Sequence, residues 1–357
     1  MQLQNDWTLK FSTAFKDAGD LYRFLEWEMP AGIKEVDSTY PLFIPMRLAK
    51  KIKRQGPAGV LAREFMPDKL ELDPDLKGLK DPIGDKAFNL APQLIHRYPS
   101  RALFTATSIC PVHCRYCFRK NELNSADEIF QAQFEETISY LKSHPEISEI
   151  IFTGGDPLTL SNARLEKYLL AFAAVKSLKD VRFHTRFPVI MPERIDSGLI
   201  QLLTDASKTF RTVTVAIHAN HADEFDQDCE EAILRLANSP VQLLSQTVLL
   251  KDVNDDPDTL AELIHVFLKL KIRPYYLHHP DRVQGGMHFY VSLREGRMMY
   301  AKLRQRLPGW ALPHYVIDVP GGYGKVPAFN PENTTFSGLL LSQDGELVES
   351  SEPDLFV

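Results

Sequence analysis

The spacing of hydrophobic positions changes near residue 100, and this change predicts two kinds of structure along the chain. Before it, amphipathic helical segments alternate with polar loops, for example at 17–29, 45–55 and 56–67. After it, short apolar runs rich in β-branched residues recur at intervals of about thirty residues, and a helical pattern follows each run. The runs predicted to be strands are RALFTATS, EIIFTGG, VRFHTRF, TVTVAIHA, VQLLSQTVLL and IRPYYLHH.

Strand–helix units in a row predict a parallel sheet, and six of them suit a full or partial barrel better than an open sheet. A further helix, SLREGRMMYAKLRQRL, leads to a short strand, HYVIDVP, and a glycine-rich turn. We therefore expect an α/β fold, a partial (β/α)6-type TIM-like barrel. Its predicted parts are a helical region at 1–95, the barrel at 96–328 and a polar tail at 329–357.

Composition and charge exclude several classes of function. The chain has 357 residues, 44% of them hydrophobic, and a net charge of -6, which gives no electrostatic footprint for nucleic acid or an acidic membrane. No apolar run is long enough to span a bilayer, and the first residues do not resemble a secretory signal. Four cysteines in such a chain are expected to stay reduced. These features together favour a cytoplasmic enzyme.

The unusual polar residues follow the predicted strands, at the ends that face the mouth of a parallel barrel. The cysteine cluster of CPVHCRYCFRK follows the first strand, and GGDP follows the second. Arg186 ends the third strand, His218 ends the fourth and Gln246 lies within the fifth. Asp281 follows the sixth strand, and the segment DVPGGYGK, which spans Asp318 to Lys325, follows the last. The sequence therefore predicts one active site at this mouth.

Three of the four cysteines, Cys110, Cys114 and Cys117, lie in a C-x3-C-x2-C arrangement. Three thiolates can hold a four-iron cluster and leave one iron open to a ligand. The main alternative is a structural zinc site, but zinc takes four ligands, and His113 lies awkwardly between two of the thiols. The remaining cysteine, Cys229, lies in a predicted acidic helix and is expected to be packed or partly exposed.

A second cofactor is indicated by Lys325, which follows a glycine-rich turn. A phosphate-binding P-loop is excluded because no Ser or Thr follows this lysine and the first glycine of that motif is missing. Upstream, Arg97, Tyr98 and Arg101 precede the first strand, and two arginines on a short loop can bind a phosphate. A lysine able to form a Schiff base and a phosphate clamp together suggest pyridoxal phosphate (PLP), whereas an isolated Gly-Lys would be an exposed turn.

The cysteine spacing, with an aromatic residue before the third cysteine, resembles the signature of the radical S-adenosylmethionine (radical SAM) superfamily. Within it, the chain resembles the PLP-dependent lysine 2,3-aminomutases from about residue 94 to 328. The similar segments are LIHRYPSRALF, CPVHCRYCFRK, FTGGDPL, TRFPVIMPERI, SQTVLLKDVND, PYYLHHPDRVQGGMHF and IDVPGGYGKVP.

The resemblance implies a [4Fe-4S] cluster, SAM and PLP as cofactors, and assigns a role to each candidate residue. The cluster ligands would be Cys110, Cys114 and Cys117. The implied SAM contacts are Gly154, Gly155, Asp156, His218 and Gln246. The implied PLP contacts are Lys325 as the Schiff-base residue, with Arg97, Tyr98, Arg101 and Arg186 around the phosphate. The implied substrate contacts are Arg119 for the α-carboxylate, with Asp281 and Asp318 for the distal ammonium.

The implied reaction moves the amino group of L-lysine from C2 to C3 to give β-lysine. Alternatives are another amino acid substrate, the branch that supplies β-lysine to elongation factor P, and a PLP-independent radical SAM enzyme. An iron–sulfur electron carrier is the alternative from another class. A reductant protein such as flavodoxin or ferredoxin and a homo-oligomeric state are further expectations. The C-terminal cysteines that bind zinc in longer relatives are missing from the tail, so zinc is not expected.

Overall fold

The computed structural model describes residues 6–91, 93–121, 134–329, 339–341 and 347–349. Helices α1 to α12 in the described part are Asp6–Ser12, Ala18–Leu25, Ile33–Thr39, Met46–Gln55, Val60–Phe65, Phe134–Ser143, Asn162–Ala173, Phe187–Ile190, Ser197–Ala206, Gln227–Ala237, Pro257–Lys269 and Leu293–Leu303. Strands β1 to β12 are Asn89–Ala91, Leu94–Tyr98, Arg101–Thr107, Glu149–Gly154, Asp180–Thr185, Thr212–His218, Gln242–Val248, Arg273–His278, His314–Val319, Gly324–Pro327, Leu339–Leu341 and Leu347–Glu349.

The centre of the fold is a ten-stranded sheet in which the strands follow one another in chain order from β1 to β10. Strands β3 to β9 pair in parallel, and the pairs β1–β2, β2–β3 and β9–β10 are antiparallel. The two edge strands, β1 and β10, are not paired with each other, so the sheet does not close. The predicted partial barrel is confirmed, with an antiparallel hairpin added to each side of its parallel strands.

Those added hairpins correct the sequence interpretation. Arg97 and Tyr98 lie within β2 and not in a loop, so the sheet begins inside the region predicted to be helical. Asp318 lies in β9, which matches the predicted strand HYVIDVP, whereas Lys325, predicted in the glycine-rich turn, lies in β10. The two residues are direct partners in the antiparallel register. The turn between the strands contains Gly321 with a φ of +86°, a conformation that residues with a side chain rarely adopt.

Alternate residues of the parallel strands face opposite sides of the sheet, as a period of two requires. Polar or aromatic residues on one side line a cavity, for example Arg182 and His184 of β5 and Tyr276 and His278 of β8. The other side of the sheet is apolar. There Phe104 and Phe152 of the sheet pack edge to face or tilted against Tyr168 and Phe172 of α7.

The helices that cover the barrel begin at residues that cap them. The side chain of Asp226 accepts a hydrogen bond from Cys229 N at the start of α10, and Asp256 with Pro257 begins α11. Ser292 and Glu295 form a capping box at the start of α12. Among the helices that the structure describes, none combines the length and the apolar character that a membrane span needs.

Little of the predicted tail at 329–357 belongs to the described residues. Within it, β11 and β12 pair in antiparallel register, with Leu340 opposite Val348. The remaining tail residues lie outside the described part of the chain. Cys229 is fully buried in α10, and its thiol donates to the carbonyl of Val189 at 3.4 Å, in agreement with the packing role expected for it.

Candidate active site

A single cavity brings together every residue that the sequence predicts for the site. It lies at the carboxyl ends of the parallel strands and extends to the β2–β3 and β9–β10 hairpins. The predicted residues that line it are Arg97, Tyr98, Arg101, Cys110, Cys114, Cys117, Arg119, Gly154, Gly155, Asp156, Arg186, His218, Gln246, Asp281, Asp318 and Lys325. Residues that lie far apart in the sequence are thus gathered in one place, as a single active site requires.

The cysteine loop presents three free thiols to one side of the cavity. Burial raises the pKa of all three, to about 12 for Cys114, so a cationic partner is needed to hold them as thiolates. No three His, Cys, Asp or Glu side chains of the described chain close around a single metal ion. Three thiols on one loop can hold three irons of a four-iron cluster, whereas a structural zinc site takes four ligands.

The N-terminal region supports the cysteine loop from outside. His113 donates its backbone N–H to Phe43 O at 3.0 Å, and its Nδ1 lies 2.7 Å from Pro41 O. This histidine is therefore engaged by backbone groups on the N-terminal side, which weakens its candidacy as a zinc ligand. The backbone N–H of Arg115 donates to Glu64 O at 3.2 Å and ties the same loop to α5.

Gly154 and Gly155 let two backbone segments of the protein approach each other closely. A Cβ on Gly155 would lie 2.3 Å from Ile109 O, and one on Gly154 would lie 2.5 Å from Thr107 O. Gly155 N donates to Thr107 O at 2.6 Å. The resemblance implies that these glycines contact SAM, and that contact stays a prediction. The segment they approach directly precedes Cys110, so their first effect is to position the cysteine loop.

Asp156 is buried and accepts several hydrogen bonds from the protein. Its carboxylate receives the N–H of Leu158 at 3.0 Å, the N–H of Arg186 at 2.7 Å and the hydroxyl of Thr185 at 2.9 Å. Burial outweighs these bonds and raises the pKa of Asp156 to about 6. The residue thereby joins the ends of β4 and β5, and its predicted contact with the SAM amino group stays a prediction.

The guanidinium of Arg186 lies against the cysteine loop. Its Nη1 donates to Cys114 Sγ at 3.4 Å and to Tyr116 Oη. Its Nη2 donates to Glu64 Oε1 at 2.6 Å and to Glu224 Oε2 at 2.5 Å. The predicted contact of Arg186 with a PLP phosphate has no support in these neighbours, which are two carboxylates, a phenol and a thiol.

A chain of charged side chains forms the opposite wall of the cavity. Lys325 Nζ donates to Asp318 Oδ2 at 2.5 Å, and Arg97 Nη1 donates to Asp318 Oδ1 at 3.3 Å. Arg97 also pairs with Asp85, whose second oxygen accepts from Arg119 Nη2 at 2.7 Å. Asp85 thus bridges the arginine predicted at the PLP phosphate and the arginine predicted at the substrate carboxylate.

The two aspartates predicted to bind an ammonium have opposite electrostatics. Burial opposes ionisation of Asp318, but Lys325, His278 and Arg97 together outweigh burial and hold the pKa of Asp318 below its ordinary value. Burial and the nearby charge of Asp318 raise the pKa of Asp281 to about 8. No hydrogen bond to the Asp281 side chain comes from the described residues. The cavity therefore contains one carboxylate paired with an amine and one that lacks a cation.

Anion-binding groups remain beside Lys325. The guanidinium of Arg101 lies 3.8 Å from the centroid of the Tyr98 ring and makes no ion pair among the described residues. The Nε of Arg97 is buried and has no hydrogen-bond partner within the described part of the chain. Tyr98 Oη accepts the backbone N–H of Lys325 at 2.6 Å and joins the two hairpins. A phosphate beside a reactive lysine fits this donor set.

Neutral imidazoles line the cavity between the two walls. Burial lowers the pKa of His184, His218 and His278, to about 3 for His278. His218 Nε2 lies 2.7 Å from Tyr116 Oη, and Gln246 Nε2 lies 3.4 Å from His184 Nε2. Because these rings are uncharged, they are suited to contact an uncharged part of a cofactor, such as a nucleoside.

Sequence reasoning missed several residues of the site. Glu64, Asp85 and Glu224 are each buried, and each holds an arginine of the cavity. Asp85 ends a stretch rich in Pro and Asp that has no helical or strand pattern. Tyr116 was noted only as the aromatic residue before the third cysteine. Glu64 follows Arg63 in α5, so the sequence offered it as one half of an ordinary charged pair.

A partial barrel that carries three cysteines on the loop after its first parallel strand defines the class of this protein. Residues 104–264 match the Radical SAM superfamily, and the chain belongs to it. It is 32% identical to the L-lysine 2,3-aminomutase of Escherichia coli (strain K12) over 91% of this chain and 94% of that protein. It is 30% identical to the L-lysine 2,3-aminomutase of Methanococcus maripaludis over 90% of this chain and 75% of that protein. It is 29% identical to the L-lysine 2,3-aminomutase of Clostridium subterminale over 90% of this chain and 77% of that protein. Within the superfamily, the chain therefore belongs to the lysine 2,3-aminomutase family.

Proposed function

We propose that this radical SAM enzyme is a PLP-dependent L-lysine 2,3-aminomutase that produces β-lysine. The observation that carries the proposal is the position of Lys325. Its amine donates to Asp318, and Asp281 lines the same cavity. Arg97 and Arg101, which can bind an anion, also line this cavity, and the cysteine loop forms its facing wall. A reactive lysine, a phosphate site and a radical source in one cavity are the parts that an aminomutase needs.

The residues around Lys325 are suited to hold PLP. When bound, PLP supplies an electron-accepting ring that stabilises a radical on the adjacent substrate atoms. Arg101 and the free Nε of Arg97 can donate to its phosphate, and Tyr98 fixes the backbone of Lys325. Asp318 Oδ2 accepts a hydrogen bond from Lys325 Nζ at 2.5 Å and raises the pKa of this amine, so it holds the lysine in place as an ammonium.

The same residues support lysine as the substrate. With PLP bound, Lys325 Nζ would no longer be available to Asp318 as a free ammonium, and Arg97 Nη1, at 3.3 Å, would be the cation left beside this carboxylate among the described residues. Asp281 already lacks a cation among the described residues and is protonated more easily than an ordinary aspartate. A buried carboxylate that lacks a cation favours a ligand that brings one. An amino acid with a distal ammonium satisfies this requirement, and glutamate does not.

The [4Fe-4S] cluster and SAM come with membership of the superfamily. The residues suited to hold them are the three cysteines and the adjoining Gly154–Asp156 segment. SAM supplies the adenosyl radical that starts the reaction, and an electron from a low-potential protein such as flavodoxin or ferredoxin releases it. The chain's own task is to orient lysine and to exclude water, because a primary carbon radical abstracts hydrogen indiscriminately.

The proposal is tested by anaerobic incubation of the full chain with SAM, a reductant, PLP and a mixture of amino acids. Product analysis should find β-lysine and no other β-amino acid. Borohydride should fix PLP to the wild-type chain but not to Lys325→Ala, while both variants keep their iron. Turnover of another amino acid would overturn the substrate, and turnover by Lys325→Ala without PLP would overturn the cofactor. Delivery of β-lysine to elongation factor P is a separate question, answered by adding that protein to the reaction.

A further inference from the structure

Arg186 connects the cysteine loop to two buried carboxylates. The arginine is 5% exposed, and Glu64 and Glu224 are 0% and 2% exposed. Its Nη2 is shared by the two glutamates at 2.6 and 2.5 Å, and its Nη1 faces Cys114 Sγ at 3.4 Å. The guanidinium therefore transmits the charge of both carboxylates to one sulfur of the cysteine loop.

The charges of this group do not balance. One guanidinium stands against two carboxylates, and no other cation donates to the carboxylate oxygens of Glu64 or Glu224 among the described residues. Asn220 Nδ2 donates to Glu64 Oε1 at 2.9 Å, and the backbone N–H of Asn220 donates to Glu224 Oε1 at 2.5 Å. Excess negative charge buried beside a sulfur ligand costs energy, and such an arrangement favours an electrostatic role over a purely structural one.

We propose that Arg186 is a positioning residue for the iron–sulfur cluster, and that Arg186, Glu64 and Glu224 together set the reduction potential of that cluster through Cys114. The proposal replaces the contact with a PLP phosphate that the sequence had suggested for Arg186. It rests on membership of the radical SAM superfamily and not on the assignments of PLP or lysine.

The direction of each contribution follows from electrostatics. One-electron reduction adds a negative charge to the cluster, and a cation that donates to a ligand sulfur stabilises the reduced state. Arg186 therefore raises the potential. Glu64 and Glu224 partly neutralise the charge of the guanidinium and therefore lower the potential. The potential of the cluster is thus the balance of the three groups.

Glu64→Gln is the sharpest perturbation that the structure offers. The glutamine Oε1 can still accept from Arg186 and Asn220, because Glu64 uses a single oxygen for both bonds. Its other oxygen, Oε2, is buried and has no hydrogen-bond partner in the described part of the chain, so the glutamine amide can occupy that position with the local bonds kept. The substitution thus removes one charge and preserves the geometry. Glu231→Gln removes the same charge from an exposed position on α10 and is the matched control.

The test is a redox titration of the anaerobically reconstituted full chain, followed by the electron paramagnetic resonance of the reduced cluster. It is done without SAM, PLP or amino acid at about pH 8.5, above the pKa of about 7 that burial and Glu224 give to Glu64. Glu64→Gln should shift the midpoint potential to more positive values, and Glu231→Gln should leave it unchanged. Arg186→Lys should shift the midpoint potential to more negative values, because a single ammonium nitrogen cannot occupy both the Nη1 position beside Cys114 and the Nη2 position between the two carboxylates.

An unchanged or more negative potential in Glu64→Gln would overturn the proposal. Should that variant not retain its cluster, Glu224→Gln provides the same comparison, since Glu224 keeps its backbone partners through Oε1. If Glu64→Gln shifts the midpoint potential to more positive values as expected, but the wild-type chain makes no β-lysine, the proposed function is refuted and this inference is supported.

Discussion

Glu71 is expected to be the most important single support of the cysteine loop. It lies in a short 3-10 helix, Lys69–Leu72, and is 4% exposed. Its two carboxylate oxygens accept from Arg115 at 2.9 and 2.5 Å, and Oε2 also accepts from Lys120 at 2.7 Å. Both cations belong to the cysteine loop or its immediate end, and both side chains are buried.

Glu71→Ala would leave two buried cations without their carboxylate. Removing one partner of a buried ion pair costs about 3 to 5 kcal/mol, because the remaining charge stays in a medium that does not solvate it. Arg115 keeps Tyr40 O and Lys120 keeps Gly285 O as acceptors, so we expect a loss of about 3 to 5 kcal/mol in the free energy of unfolding and not twice that amount. The loop should also hold its iron less tightly.

The measurement is anaerobic urea unfolding, together with iron content per chain after reconstitution. Glu26→Ala is the control, since Glu26 pairs with Lys53 at 2.7 Å on an exposed surface and its loss should leave both measurements unchanged. A Glu71→Ala protein that unfolds at the same urea concentration as the control would show that the cysteine loop is held by other contacts, and the reasoning would be refuted.

Two further predictions concern the charged wall of the cavity. Asp85→Asn should weaken binding of both PLP and the amino acid by about tenfold or more, because one carboxylate positions both Arg97 and Arg119; unchanged values in a PLP titration and in KM would contradict this. The pKa of Asp281, raised to about 8 by burial and by Asp318, makes ammonium binding release a proton, since only the ionised carboxylate pairs with the ligand. Lysine affinity should therefore rise by about tenfold per pH unit up to about pH 8 and then level off, whereas an equal slope in Asp281→Asn would assign the effect to another group.

The parallel strands could be predicted because their pattern depends on burial on both sides of the sheet. The runs interpreted as strands match β3 to β9 closely, and the helices between them begin at recognisable caps such as Asp256. The hairpin strands β1, β2 and β10 were missed since they are three to five residues long and carry polar residues that face the cavity. Arg97 and Lys325 interrupt the apolar pattern for the same reason that they are candidates for function.

The candidate site could be predicted where the chemistry is local in sequence. Cysteine spacing and a lysine after a glycine-rich turn are visible without a structure. The acidic partners are not, because Glu64 meets Arg186, and Asp85 meets Arg119, only through tertiary contacts between distant parts of the chain. Most charged residues are exposed to solvent, so a charged residue whose partner cannot be identified from the sequence is interpreted as a surface residue.

The N-terminal region has a more specific part in the site than its helical pattern suggested. Three acidic residues between positions 60 and 88 each neutralise arginines of the barrel: Glu64 pairs with Arg186, Glu71 with Arg115, and Asp85 with Arg97 and Arg119. Each of these arginines is buried or lines the cavity, and burial of an unpaired guanidinium is unfavourable. The barrel supplies a second carboxylate to Arg186 and to Arg97, through Glu224 and Asp318, whereas Arg115 pairs with Glu71 of the N-terminal region. The helical region and the barrel form one electrostatic unit, and a division of the chain near residue 95 separates residues that depend on each other for stability.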